Sequence, residues 1–315
     1  MASVLDHPRF HSEEAAFAHV EAMLWPTGPV CPHCGNADAA RIGRLEDVHS
    51  KPSKKHPKGV VRLGLRKCYA CREQFTVRTG TIFEASHAPL HIWLQAIHLL
   101  CSSKKGISTR QLQRTLGVGM KTAWFLGHRI REAVKDGSGP LGGSGKVVEA
   151  DETAITNSRK TKRGPGRKAP KALVVSFAER GGNVRSRLID HTNVRGHLWQ
   201  HVHPDSRLVT DAAQHYKFQF PDHASVDHSK GEYVRGDVHT NTLEGFFSIF
   251  KRGLIGVYQH VDEKHLDRYL AEFDFRQNNR AKLGIDDVQR AEIALKGVRG
   301  KRLTYRTANS EETQA

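Results

Sequence analysis

The chain lacks any run approaching the roughly 18 to 20 consecutive apolar residues that a membrane span requires. Its first residues, Met1-Ala-Ser-Val-Leu-Asp-His-Pro8, carry neither the basic nor the apolar region of a secretory signal. These two absences argue against a membrane partner and an exported protein, and a cytosolic location is expected. Acidic residues are also in short supply: 33 Asp and Glu stand against 49 Lys and Arg, a formal charge of +16 over 315 residues. An excess of that size favours a polyanionic partner, which in the cytoplasm means the nucleoid. Cysteine is scarce as well, with five residues, of which four fall in two pairs, Cys31-Pro-His-Cys34 and Cys68-Tyr-Ala-Cys71. Cytoplasmic thiols stay reduced, so the pairs are not disulfides. Two C-x2-C knuckles instead predict one tetrahedral structural Zn2+ site made of Cys31, Cys34, Cys68 and Cys71. The 33 residues between the pairs are explained by the Lys- and His-rich stretch 50–58, which reads as a loop inserted between ribbon strands. Cys101, at the end of the apolar helical run 92–100, reads as core.

The rest of the chain divides by composition and period. Residues 1–24 read as an N-terminal helix, 25–88 as the zinc ribbon, 89–135 as a helical DNA-binding domain and 136–145 as a Gly/Ser/Pro linker. Residues 146–300 follow as a catalytic domain, with a polar tail over 301–315. Within 89–135, two short helical segments flank the turn Gly117-Val-Gly-Met120. Ser108 is placed to begin the first and Gly117 to end it. That is a helix-turn-helix pattern, whose second helix enters the major groove. Lys121, Thr122, His128 and Arg129 are expected to face DNA, while Ala123, Trp124 and Ile130 pack inward.

Beyond the linker the order is strand (147–155), basic loop, strand (172–179), turn, strand (184–190), helix (about 195–203), strand (207–211) and a long helix from about residue 240. Three strands joined by tight turns, then helix, strand and helix, predict an α/β layer with a mixed sheet. The expected fold class is therefore α/β, a ribonuclease H-like mixed-sheet catalytic domain preceded by the zinc ribbon and the helix-turn-helix.

Three acidic residues in this part carry the chemistry. Asp151 lies inside the strand run 146–155, Asp211 closes the run 207–211, and Glu244 lies in the helical segment 241–251 with Lys251 seven positions later. Mg2+ is a hard cation that takes carboxylates and water in octahedral geometry. Two such ions roughly 3.5 to 4 Å apart stabilise both the attacking and the leaving oxygen of an in-line displacement at phosphorus. Phosphoryl transfer on a nucleic acid is the chemistry this set predicts, with two Mg2+ ions per site.

Five segments then resemble a known family: 25–34, Arg78-Thr-Gly-Thr-Ile-Phe83, Glu149-Ala-Asp-Glu-Thr153, His239-Thr-Asn-Thr-Leu-Glu-Gly-Phe-Phe247 and Phe273-Asp-Phe-Arg-Gln-Asn-Asn-Arg280. Over nearly its whole length the chain resembles the DDE transposases of bacterial insertion sequences that carry an N-terminal zinc ribbon, insertion sequence family fifteen-ninety-five. The resemblance implies cutting at terminal inverted repeats, joining of the freed 3′ ends to target DNA, and a homo-oligomer that holds two ends. It makes Asp151 and Asp211 the first two metal ligands. Some members of the family have Asn at the third position, which makes Asn241 a rival of Glu244. Glu244 is favoured because a charged carboxylate binds a hard cation better than an amide does. Lys251, and with it Arg252, then meets DNA phosphate.

Several polar residues carry two readings. Glu152 alternates to the strand face opposite Asp151 and is structural or adjacent to the ligands. His239 either caps the catalytic helix or touches DNA. The basic residues Arg159, Lys160, Lys162, Arg163, Arg167 and Lys168 form either a solvated hairpin tip or an arm that tracks phosphates. Two alternatives to a transposase remain: a DNA-binding regulator or domesticated relative that no longer cuts, and a nuclease or resolvase that cuts without joining.

Overall fold

A computed structural model describes residues 3–54, 56–156, 171–189, 193–217 and 219–304. They fall into two units, the first drawn from Met1–Ser102, Thr109–Ala133 and Asp287–Ala315, the second from Ser103–Ser108 and Val134–Asp286. No helix among the described residues is long and apolar enough to cross a membrane.

In the first unit, helix α1 (Glu13–Leu24) starts where Ser12 accepts the amide of Ala15 at 3.2 Å, with Glu13 and Glu14 complementing the helix dipole. It buries Ala16, Phe17, Val20 and Leu24. The ribbon strands β1 (Ile42–Arg44), β2 (Arg66–Cys68) and β3 (Gln74–Phe75) pair antiparallel in chain order. The stretch between β1 and β2 folds out as the expected insertion: Leu45 bonds to Leu65 at 2.9 Å, Arg62 to Val48 at 2.8 Å and Ser50 to Val60 at 2.8 Å.

Three helices follow: α2 (Leu90–Ser102), α3 (Thr109–Leu116) and α4 (Met120–Ala133). The cap of α2 comes from far away in sequence, since the Glu13 carboxylate accepts the amides of Leu90 and His91 at 2.8 and 3.1 Å. Gly117, at φ +63°, takes the left-handed conformation that ends α3. The segment before α2 is held by Arg78, whose guanidinium donates to the carbonyls of Ser86 (2.5 Å), Ala88 (3.1 Å) and Phe83 (3.4 Å). The Arg78–Phe83 motif is thus a structural loop lock.

The second unit carries a five-stranded mixed sheet. Strands β4 (Val147–Thr156), β5 (Lys171–Glu179) and β6 (Val184–Ile189) form an antiparallel meander. Helix α5 (Val194–His201) then leads into β7 (Arg207–Asp211), which runs parallel to β4, and β8 (His223–Val226) runs parallel to β7. The spatial order β6-β5-β4-β7-β8 is the ribonuclease H-like arrangement. Strand β8 was not legible in the sequence: it is four residues long and only Val226 of it is fully buried.

Period-2 alternation gives the sheet two apolar faces. Val148, Ala150, Val175 and Phe177 pack with Val194 and Leu198 of α5. Val174, Ala178 and Val184 pack on the other side with Leu243, Phe246, Phe247 and Phe250 of helix α6 (Asn241–Gly253) and with Leu266, Leu270 and Phe273 of helix α7 (Glu263–Asn278). A π turn, Leu254–Tyr258, continues α6. The motif 273–280 docks α7 on β6: Asp274 accepts the amide and hydroxyl of Ser186, both at 2.7 Å, and Asn278 bonds both backbone groups of Val184 at 2.6 and 3.0 Å.

Two boundaries differ from the composition reading. The stretch 136–145 is tied to the second unit rather than left free. Leu141 is buried and pairs with the helix-to-strand segment, its amide to His201 and its carbonyl to His203, both 2.8 Å. Gly142, at φ +90°, leaves no room for a side chain, since a Cβ would lie 2.1 Å from the Ser206 hydroxyl. Composition marks such a glycine but cannot show that it is tightly packed. The last helix, α8 (Asp287–Lys296), belongs to the first unit, where it packs on α2 and Arg290 bonds the carbonyl of Cys101 at 3.0 Å. Its short apolar stripe, Ala294 and Leu295, carries no mark of the core it joins.

Candidate active site

Asp151 and Asp211 are brought together by the parallel pairing of β4 and β7. Val147 stands opposite Arg207 and Ala150 opposite Thr210, so the two aspartates follow at the next step of the ladder. Because Val148 and Ala150 turn to the α5 core, Glu149 and Asp151 turn to the face covered by α6. Asp211 accepts the amide of Ala213 at 3.1 Å, and Asp151 accepts that of Glu152 at 2.7 Å. Burial pushes the Asp151 carboxyl up to about 7, opposed by the Glu152 amide and reinforced by the charges of Asp211, Glu152 and Glu244. Glu244 therefore lies within electrostatic reach of Asp151. It sits exposed in the first turn of α6, 3.5 Å from the Thr240 hydroxyl and 3.9 Å from Nε2 of His228.

His228 was missed from sequence because the strand that delivers it, β8, was missed. Val226 pairs with Asp211, and two residues later the chain has turned toward Glu244. Asn241 is the exposed first residue of α6. Lys251 and Arg252 are exposed in its last turn, where Arg252 donates to the Ser248 carbonyl at 3.1 Å.

Glu149 was also missed. It is completely buried, and its carboxylate gathers Nε of Arg180 at 2.9 Å, the Thr242 hydroxyl at 2.9 Å and the Thr242 amide at 3.0 Å. His239 faces it at 3.6 Å, and the His239 carbonyl accepts Arg180 at 2.9 Å. A glutamate two residues before the candidate ligand Asp151, at the same strand parity, was the available signal. Glu152 points to the other face as expected, where it accepts the hydroxyl of buried Tyr216 and Nε2 of His215 at 2.7 Å.

The two candidate cation sites differ in their fit. The Sγ atoms of Cys31 and Cys71, and those of Cys34 and Cys68, are 3.7 Å apart, and all four lie within 4.8 Å of one another. A tetrahedron with Zn–S bonds of about 2.3 Å has edges of about 3.8 Å, which these spacings match. Backbone amides of Cys71 and Ala70 bring the Cys68 thiol down to about 6. No other group among the described residues is as closely gathered. Asp151, Asp211 and Glu244 are more open and all-oxygen, as suits a hard divalent cation that keeps waters and substrate oxygens in its shell.

Of the residues expected to face DNA on α4, Lys121 and Thr122 are exposed. His128 and Arg129 are not: they are only 1% and 3% exposed. His128 packs against the half-buried Trp124 ring at 4.1 Å, while Arg129 donates to the carbonyls of Ile82 (2.7 Å), Glu84 (2.8 Å) and Leu303 (3.1 Å). Helical period puts Arg129 on the face of Thr122, but segments distant in sequence cover that end of the helix. Ala123 and Ile130 are buried. The basic loop with Arg159, Lys160, Lys162, Arg163, Arg167 and Lys168 lies outside the described residues.

With this geometry in place, residues 140–278 match the ISXO2-like transposase domain and residues 11–74 the transposase zinc-ribbon domain. Over 290 residues, 85% of this chain and 92% of the relative, the sequence is 28% identical to an uncharacterized protein in transposable element ISH50 of Halobacterium salinarum. No solved structure matches the chain. The ribbon match and the thiol spacing together make Cys31, Cys34, Cys68 and Cys71 a structural zinc site.

Proposed function

Because the chain belongs to the insertion-sequence DDE transposases with an N-terminal zinc ribbon, we propose that it cuts DNA at an element's terminal inverted repeats and joins the freed 3′ ends to target DNA. The observation that most supports this reading is that Asp211 and Glu244 lie within electrostatic reach of the half-buried Asp151, whose carboxyl is raised to about 7 by desolvation first and by those charges after it. Three acids held together in the middle of one strand, at the end of its neighbour and at the start of a helix repel one another. Divalent cations offset that repulsion.

Asp151, Asp211 and Glu244 would hold two Mg2+ or Mn2+ ions. When bound, the ions stabilise charge on the attacking and leaving oxygens of the phosphodiester. Water attacks first at the element's end and frees a 3′-hydroxyl. That hydroxyl then attacks a target phosphodiester in the same site, and no protein nucleophile takes part. Lys251 and Arg252, exposed on the same helix as Glu244, meet backbone phosphate beside the scissile bond. Lys121 and Thr122, at the exposed start of α4, meet the inverted repeat, and the zinc ribbon contributes to the same recognition. Two protomers bring two ends together on nucleoid DNA.

The test is strand transfer by purified protein on labelled duplexes that carry the element's ends, with Mg2+. Nicking and joining by the wild type, and neither by Asp151→Asn or Asp211→Asn variants that still bind DNA, are expected. Binding alone by the wild type would make the protein a regulator, and cutting without joining would make it a nuclease.

A further inference from the structure

We infer that Glu149 is a positioning residue that sets where the third acidic ligand, Glu244, stands relative to Asp151. The inference rests on the proposed three-acid site. Glu149 and Asp151 lie two residues apart on one face of β4, about 6.6 Å along the strand. Thr242 and Glu244 lie two residues apart in the first turn of α6. A single carboxylate joins these pairs: Glu149 accepts the Thr242 hydroxyl at 2.9 Å, the Thr242 amide at 3.0 Å and the Leu243 amide at 3.4 Å.

Those amides are among the four at a helix start that have no partner inside the helix. The residue that would ordinarily satisfy them, Thr240 at the N-cap, makes no side-chain cap bond. Glu149 supplies the cap from the neighbouring strand, with its charge at the positive end of the helix dipole. The carboxylate is completely buried, so it needs a partner of opposite charge. Nε of Arg180 provides it at 2.9 Å, and the same guanidinium holds the chain entering α6 through the carbonyls of Asp237 at 2.7 Å and His239 at 2.9 Å. Strand, helix start and entering loop are locked to one another by one ion pair. The apolar face of α6 fixes the helix on the sheet, but apolar packing alone tolerates slippage that a bidentate cap does not. A shift of about 1 Å at a ligand is enough to cost catalysis heavily.

The experiment compares Glu149→Gln with Asp274→Asn, a change to a buried carboxylate that anchors α7 and touches none of the three acids, in the full-length zinc-loaded protein. Mn2+ binding without DNA is followed by electron paramagnetic resonance of the free ion, and cleavage is measured over Mg2+ concentration. Glu149→Gln is expected to weaken Mn2+ binding by about tenfold and to raise the Mg2+ needed for half-maximal cleavage by a similar factor. Asp274→Asn is expected to leave both unchanged whatever it does to the melting temperature. Equal Mn2+ affinity in Glu149→Gln and wild type, or an equal loss in both variants, overturns the inference. Should Glu149→Gln not fold, Thr242→Val removes one bond to the same carboxylate and is expected to weaken Mn2+ binding about threefold, with no change overturning the inference. If the wild type binds no Mn2+ and cuts no DNA, it is the proposed function that fails.

Discussion

Asp151, in the middle of β4, stands beside Asp211 at the end of the neighbouring parallel strand β7, and its carboxyl, raised to about 7 by burial and by the charges of Asp211, Glu152 and Glu244, is half protonated at neutral pH. A protonated carboxyl does not ligate a cation, so metal binding must expel that proton. Divalent-ion affinity should therefore rise with pH up to about 8 and level off above it, and binding at pH 7 should release a fraction of a proton. Calorimetric Mg2+ or Mn2+ titrations at pH 6, 7 and 8, in buffers of different ionisation enthalpy, measure both quantities. An affinity independent of pH across that range would remove Asp151 from the ligand set.

Glu244 and Asn241, both exposed in the first turn of α6, compete for the third position, and Glu244 is the expected ligand because a charged carboxylate binds a hard cation better than an amide does. Glu244→Gln should abolish nicking and joining while DNA binding persists, and Asn241→Ala should keep most of the activity. The reverse pattern in the strand-transfer assay would hand the ligand role to Asn241.

Lys121 and Arg129 lie on one helix but have opposite fates. Lys121→Ala should lower DNA affinity and flatten the slope of log affinity against log salt by about one, with no change in melting temperature. Arg129→Ala leaves the Ile82, Glu84 and Leu303 carbonyls without their donor and should cost on the order of 2 kcal/mol of stability. Its DNA affinity per folded molecule should match the wild type. A folded Arg129→Ala protein with weakened DNA binding would restore Arg129 to the interface.

Legibility in the sequence followed the range of the interaction. The strands β4 to β7 and helix α6 were readable because alternation and helical period are local signals, and the zinc site because its ligands come in close pairs. Partners set by the fold were not. Nothing near Glu149 announces that its carboxylate caps a helix beginning at residue 241, just as nothing near Glu13 announces the cap on α2. His228 was hidden because β8, a four-residue strand with one fully buried residue, has too little alternation to register. Period alone wrongly exposed His128 and Arg129, since it describes one helix and not what covers it.

Four thiols within 4.8 Å of one another tie the two knuckles of the ribbon, and with them its three short strands, around a cation. Their apolar support is small: Ile42 and Phe75 are buried there, with Trp25 packed against them. A strong chelator should therefore unfold the ribbon and abolish DNA binding, and added Zn2+ should restore both, with one zinc per chain by atomic absorption. Replacement of Cys31 by Ser should reproduce the chelated state. Unimpaired DNA binding after complete zinc removal would mean that the ribbon is not part of the recognition surface.

Asp274 offers a stability test independent of any activity. Burial raises its carboxyl to about 7 despite the Ser186 amide and hydroxyl that bond to it. In the unfolded chain the group titrates near 3.9, so between those values the folded state holds a proton that the unfolded state has lost. Its contribution to stability is complete below the unfolded value and disappears as pH rises through about 7. Asp274→Asn keeps the shape and the neutral form, with the amide oxygen accepting from the Ser186 amide and the amide NH2 facing its hydroxyl. The variant's melting temperature relative to wild type should therefore climb between pH 5 and pH 8, by several degrees if the difference reaches a few kcal/mol. Taking the difference between the two proteins cancels the protonation of the zinc thiolates, which they share. A difference that stays constant across that range would mean that Asp274 is ionised in the folded protein, with Arg185 and Arg187 of β6 holding its charge.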